Sequence, residues 1–323
     1  MRLITFLMLA WLYISPCHAQ ITTGITGKKD TSFNNYTAFL SARKQYPDIK
    51  MVNYTPSAEV KERRDITYCN SANGPLHLDV FSPKKVKKAP AVLIIHGGGW
   101  RTGDRSQHLP LAVELAKAGY VAITVEYRLS TIALYPAAVN DVKAAIKWAK
   151  ANAKNYGVDR DKIAILGFSA GGELAAFAGV TGGIQDMEGT GGNNNENSTV
   201  KAVIDIDGIL SFIHPESAEG DDSRSISAAT YWFGYGKKEK PELWESASSL
   251  IYAAKSKAPI LFLNSSADRM HAGRDDMIKI LNQNNVYTEV HTFAGSPHTF
   301  CLFEPWFTPT VKYTVDFLDK IFK

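Results

Sequence analysis

Short, nearly continuous apolar runs alternate along this chain with longer stretches whose apolar residues recur three and four apart. The runs at residues 91–95, 120–125, 163–166, 200–206 and 259–263 have the length and composition of strands buried on both faces. Residues 288–293 complete the series. Between and after them, residues 109–118, 137–154, 170–180, 274–284 and 310–322 carry helical spacing. Strands alternating with helices specify an α/β fold, a mostly parallel sheet with helices on both faces. Upstream, residues 65–69 and 76–81 read as two strands. The turn-forming stretch 70–75, Asn-Ser-Ala-Asn-Gly-Pro, makes them a hairpin. Residues 35–46 form a short helix with Tyr36, Phe39 and Leu40 on one side, stopped by Pro47.

Three stretches break the pattern. Residues 21–29 are polar and Gly-containing and read as a flexible leader. Residues 181–199 are rich in Gly and Asn, with too little apolar content to pack, and read as a mobile surface loop. Residues 209–250 hold Phe212, Tyr231, Trp232, Phe233, Tyr235 and Trp244 without strand periodicity. They form an insertion between two core strands, either a lid or substrate wall or an extension of the core.

The start of the chain belongs to a different class. Arg2 precedes an apolar run, residues 3–14, that is too short to span a membrane comfortably, followed by Ser15-Pro16-Cys17-His18-Ala19. That is the plan of a secretory signal peptide with cleavage after Ala19. Lipidation at Cys17 is disfavoured by Pro16. The expected organisation is a signal peptide at 1–19, a leader and short helix at 20–64, and a catalytic domain at 65–323, exported to the periplasm or beyond. Cleavage leaves Cys69 and Cys301, expected as separate buried thiols. No C-x-x-C pair offers a zinc or redox site. A net charge of +4 over 323 residues, with no basic block, gives no footprint for nucleic acid.

Candidate chemistry centres on Gly167-Phe168-Ser169-Ala170-Gly171. An apolar strand precedes it and an Ala-rich helix follows, the context in which G-x-S-x-G is a nucleophile elbow. A serine hydroxyl needs a base, and the base needs an orienting acid. His298, in the loop after the last strand, is the expected base, with His271 and His214 as alternatives. Asp268, the first carboxylate after the strand at 259–263, is the expected acid. Asp275 and Asp276 come later at a helix start, and Asp205 and Asp207 end an earlier strand. His96-Gly97-Gly98-Gly99-Trp100 follows the strand at 91–95. Its glycines let backbone N–H groups approach a developing oxyanion, so Gly98, Gly99 and Ala170 are the expected donors, with His96 bracing the loop. The motif lacks the endings of a phosphate-binding loop. Trp100 and Trp306, with Phe303 and Phe307, are candidate flat faces for substrate. No metal or cofactor motif is present.

With these residues in view, the chain resembles the α/β-hydrolase esterases related to hormone-sensitive lipase. The resemblance rests on His96 to Trp100, Tyr127-Arg128-Leu129, residues 158–163 and Gly167 to Gly172. Phe168 stands where that branch often has Asp, which favours the carbohydrate-esterase side. The resemblance implies an α/β-hydrolase fold, a Ser169, His298, Asp268 triad and no cofactor. It also implies a secreted serine esterase that removes acetyl or feruloyl groups from a plant-wall polysaccharide or oligosaccharide such as xylan, acetyl being the preferred group. A serine peptidase and a non-catalytic binding protein on the same fold are the rivals.

Overall fold

The computed structural model describes residues 19–323, so the apolar run of the expected signal peptide and Cys17 lie outside the described residues. Ten strands follow in order. They are β1 (Lys50–Met51), β2 (Val60–Ser71), β3 (Gly74–Pro83), β4 (Ala89–Ile95) and β5 (Val121–Val125), then β6 (Val158–Phe168), β7 (Ala202–Ile206), β8 (Ile260–Asn264), β9 (Thr288–Thr292) and β10 (Phe303–Glu304). The α-helices are α1 (Asn35–Ala42), α2 (Leu109–Lys117), α3 (Ala137–Ala151), α4 (Ala153–Tyr156), α5 (Ala170–Thr181), α6 (Ala228–Phe233), α7 (Pro241–Ser246), α8 (Arg274–Gln283) and α9 (Phe307–Phe322).

Eight strands form one sheet in the order β2-β3-β5-β4-β6-β7-β8-β9. The hairpin β2–β3 joins β5 antiparallel, and every pairing from β5 onward is parallel. The helical crossovers explain this, since parallel neighbours need a long connection over a face of the sheet. Alternate residues of the central strands feed two cores. Val92, Ile94, Leu166, Ile204 and Leu261 pack with Leu115 of α2 and Phe317 and Leu318 of α9. Leu93, Ile95, Ile165, Val203 and Phe262 pack with Ile146 of α3 and Leu174 and Phe177 of α5. Each such side chain contributes roughly 1.5–3 kcal/mol by leaving water. Strand β9 is an edge and half exposed, which accounts for its polar composition.

Some boundaries move. Strand β6 begins at Val158, five residues before the apolar run. The long expected helix divides at Asn152, and Gly157 ends the second piece in the left-handed region. Cys69 and Cys301 are both free thiols, Cys301 buried and Cys69 half-buried.

The three irregular stretches resolve differently from one another. Residues 181–199 are pinned by polar contacts. Glu188 accepts from Gly183 N–H, Ser198 N–H and Ser198 Oγ, while Lys147 and Lys150 of α3 donate to Glu188 O and Asn197 Oδ1. Apolar content was the wrong measure for this loop. In the insertion, Phe212, Trp232, Phe233 and Trp244 are buried and packed ring against ring in tilted and edge-on pairs, with Phe233 and Trp244 ring centroids 4.4 Å apart. These aromatics extend the core. The leader is not loose. Ile21 N–H donates to Gly234 O, Gly27 N–H to Thr131 O and Arg101 Nη1 to Gly24 O, and Asp30 bridges to Thr102. It crosses both the insertion and the loop after β4.

Candidate active site

The parallel strands deliver their carboxyl ends to one edge of the sheet, and the candidate residues gather in the loops there. Strand β6 runs into α5 through Ser169, whose φ of 56° and ψ of −123° are strained for a side-chain-bearing residue. The turn closes so tightly that a Cβ on Gly167 would overlap the Gly171 carbonyl. One on Gly171 would overlap the carbonyl of Ile95. Glycine is therefore required at both positions, for space rather than for φ. Ser169 N–H donates to Ile206 O of β7 at 2.8 Å, which fixes the elbow to the neighbouring strand.

His298 Nε2 lies 2.9 Å from Ser169 Oγ, and His298 Nδ1 lies 2.9 Å from Asp207 Oδ2. The imidazole ring packs against the Phe168 ring, centroids 4.9 Å apart. The structure thus brings Ser169 and His298 together but joins them to Asp207, not to Asp268. Asp207 is fully buried at the end of β7, with φ of 50°, and its Oδ1 accepts from Ser265 N–H at 2.8 Å. Asp268 begins a 3-10 turn with its side chain 96% exposed, 3.8 Å from His271. Its place after β8 is topologically reasonable, but the turn points its carboxylate to solvent. The signal for Asp207 was the Asp207-Gly208 pair closing an apolar strand, since Asp tolerates the left-handed region better than most residues. Asp205, two residues earlier, accepts from Gly208 N–H, and burial pushes its carboxyl well above the usual range. His271 lies against Asp268, and His214 lies between Glu216 and Asp276; neither hydrogen-bonds Ser169.

The oxyanion loop curls beside Ser169. Gly98 and Gly99 have φ of 127° and 58°, and neither N–H is spent on another described residue. Gly98 O accepts from Arg101 N–H, Thr102 N–H and Thr102 Oγ1, which closes the loop. Gly97 N–H donates to Gln107 Oε1 at 2.8 Å. Ala170 opens α5, where a helix has unpaired N–H groups. His96 is buried, stacked on Tyr127 at 4.3 Å, with Nδ1 2.9 Å from Gly97 O. Burial lowers its pKa to about 4, so it is neutral near pH 7 and braces the loop. His108, behind the same loop, is lowered to about 3 for the same reason.

Trp100 does not offer a face to substrate. It is buried, stacked on Trp232 at 4.8 Å, with Nε1–H donating to Glu173 Oε2 at 3.0 Å. Its φ of 57° turns the side chain inward, where it ties the oxyanion loop to α5 and the insertion. Burial pushes the Glu173 carboxyl well above its ordinary range. Phe303 and Phe307 are also buried. Trp306 is partly exposed, packs edge-on against Tyr46, and lines a cavity of about 510 Å³ that does not include Ser169 or His298. Among the described residues no cluster of His, Cys, Asp and Glu is arranged to hold a metal ion. No helix there is long and apolar enough to cross a membrane.

An elbow serine, a loop histidine and a buried strand-end carboxylate on a mostly parallel sheet define the α/β-hydrolase fold class. Residues 78–273 match the BD-FAE family, and the chain belongs to that family. The match ends before His298. Esterase LipC of Mycobacterium tuberculosis is 32% identical over 199 residues, 59% of this chain and 48% of the relative. The chain spans about half or less of the length of the curated relatives it matches. Among solved structures, a truncated carbohydrate esterase from gut microbiota superimposes with a TM-score of 0.71 at 26% identity, covering 82% of this chain and 98% of that one. A hyperthermophilic esterase from Pyrobaculum calidifontis gives 0.66 at 26% identity, covering 88% and 90%.

Proposed function

We propose that this protein is a serine carboxylic ester hydrolase that removes acetyl groups from a plant-wall polysaccharide such as xylan. One observation carries the chemistry, the unbroken line Ser169 Oγ, His298, Asp207 with two contacts of 2.9 Å. With Nδ1–H donated to Asp207, His298 presents Nε2 as an acceptor to the serine hydroxyl. Ser169 Oγ attacks the ester carbonyl as His298 takes its proton. The oxyanion gathers the N–H groups of Gly98, Gly99 and Ala170. Collapse breaks the C–O bond to the alcohol, which leaves with the proton from His298. Water, deprotonated by the same imidazole, then releases the acid from Ser169.

The carbohydrate substrate is supported by the likeness to the gut carbohydrate esterase and by the weak net charge, which gives no steering toward a polyanion. Export, with the signal peptide removed after Ala19, is supported by the sequence of residues 1–19. The test is a rate series on aryl acetate, butyrate and octanoate and methyl ferulate, together with acid release from acetylated xylan and a Ser169→Ala control. Acetate is expected to turn over fastest. Octanoate turning over fastest would refute the carbohydrate reading, and methyl ferulate fastest would reverse the acyl preference.

A further inference from the structure

The insertion after β7 brings a further carboxylate to the triad. It leaves the sheet at the edge where Asp207 lies, and the stretch that carries Glu219 is held on several sides. Lys237 Nζ donates to Glu219 O at 2.6 Å, and Glu219 N–H donates to Ser217 Oγ at 3.3 Å. A Cβ on Gly220 would come within 2.9 Å of the Trp244 ring. Gly273 N–H donates to Glu216 Oε2 at 3.2 Å, which ties the stretch to the turn after β8. Glu219 itself is half-buried. Burial raises its pKa, and the charged groups around it, Arg269, Lys237 and His298, offset part of that rise. Its carboxylate makes no hydrogen bond or ion pair among the described residues, and neither does the exposed guanidinium of Arg269. Two loops thus bring opposite charges with unspent hydrogen-bonding capacity to the neighbourhood of His298.

The side of the triad they occupy decides which half of an ester they meet. The carbonyl oxygen turns to Gly98, Gly99 and Ala170, while His298 hands its proton to the departing alcohol. Groups beside His298 therefore meet the alcohol. A carboxylate accepts hydrogen bonds and a guanidinium only donates them, a combination that engages the hydroxyls of a polyol and gains nothing from a hydrocarbon. Charge narrows the choice further. Arg269 alone would draw an anionic alcohol such as a uronate, and Glu219 opposes it, so the pair suits a neutral one. We propose that Glu219 and Arg269 are specificity residues for the leaving group, Glu219 accepting from and Arg269 donating to the hydroxyls of a neutral sugar ring beside the ester. This role rests on the esterase reading and concerns its alcohol half.

The test compares steady-state kcat/KM on two acetates of ring alcohols. One is a methyl xyloside monoacetate, which keeps free hydroxyls next to the ester. The other is cyclohexyl acetate, which has none. The unaltered chain is expected to prefer the sugar acetate at least about tenfold. Glu219→Ala and Arg269→Ala are each expected to lower that preference at least about fivefold, chiefly through a higher KM for the sugar acetate. A merely structural role lowers both acetates alike and leaves the preference where it was. Arg269 is exposed, so its variant spares the fold and decides alone if Glu219→Ala does not fold. No preference for the sugar acetate in the unaltered chain, or a preference unchanged in either folded variant, overturns the role. Aryl acetate hydrolysis by the unaltered chain separates the two proposals. If it is present while the preference fails, the leaving-group role alone falls. If neither it nor either ring acetate is hydrolysed, the esterase reading falls and the role falls with it.

Discussion

Replacing Asp207 by Asn should abolish most of the activity while leaving the fold intact, and the structure says why. Asp207 Oδ1 is committed to Ser265 N–H at 2.8 Å, and Asn keeps that acceptor. Its amide nitrogen then falls where Oδ2 was, 2.9 Å from His298 Nδ1. An amide N–H facing Nδ1 makes that nitrogen the acceptor and moves the imidazole proton to Nε2. Nε2–H faces Ser169 Oγ and has no lone pair to take the serine proton. The imidazolium that forms during attack also loses its buried counter-charge. Together these should cost about 10³–10⁴-fold in kcat, roughly 4–5.5 kcal/mol of barrier. Both hydrogen bonds remain in altered form, so the melting temperature should move by only a few degrees. Asp268→Asn changes a side chain that is 96% exposed, and its rate should stay within about twofold. The assay is steady-state turnover of an aryl acetate beside a thermal melt. A crippled Asp268→Asn with a near-normal Asp207→Asn would refute the assignment of the acid.

Three further outcomes are expected. The folded-state pKa of Glu173 is raised by burial, so its contribution is fully present below the unfolded carboxyl value and is lost as pH rises through the folded one. Glu173→Gln keeps the acceptor for Trp100 and should raise the unfolding free energy from urea melts at pH 8, with a gain that shrinks toward pH 5 by up to about 1.4 kcal/mol per pH unit; a gain independent of pH would contradict a raised Glu173 carboxyl. Gly98→Ala adds a Cβ that overlaps Thr102 O at a φ of 127°. It should lower kcat on an aryl acetate by at least about 10²-fold with little change in KM. Trp100→Ala removes a buried ring and the partner of Glu173, and calorimetric unfolding should show a loss of about 3–5 kcal/mol, which a surface sugar platform would not give.

The parts of the fold that were legible in the sequence are those whose burial is uniform. Residues 91–95 and 163–166 are apolar because both faces of β4 and β6 are covered, and β5, β7 and β8 leave the same trace. Ser169 and His298 were legible because the elbow and the final loop are short and their neighbours constrain them. Asp207 was not, because the choice between two strand-end carboxylates depends on where a turn aims each one. Asp268 and Asp207 have similar chain contexts, and only the path of residues 265–271 exposes one of them. Trp100 misled for a related reason. Its neighbours in the chain are the oxyanion glycines, but a left-handed φ sends its ring into the interior. The leader and the loop at 181–199 were misjudged because apolar content does not register backbone pairing or a buried Glu188–Ser198 contact.

The leader that crosses the oxyanion loop has a consequence for the order of assembly. Its anchors, Gly234, Thr131, Thr102 and Arg101, lie roughly 70–215 residues from it along the chain, and such distant closures form late in folding. The sheet and both cores are expected to form while this segment is still loose, with far-UV circular dichroism already native. During refolding, hydrolytic competence should therefore return as a separate, slower phase than far-UV circular dichroism. A chain started at residue 35 should match the first phase and lack most of the second.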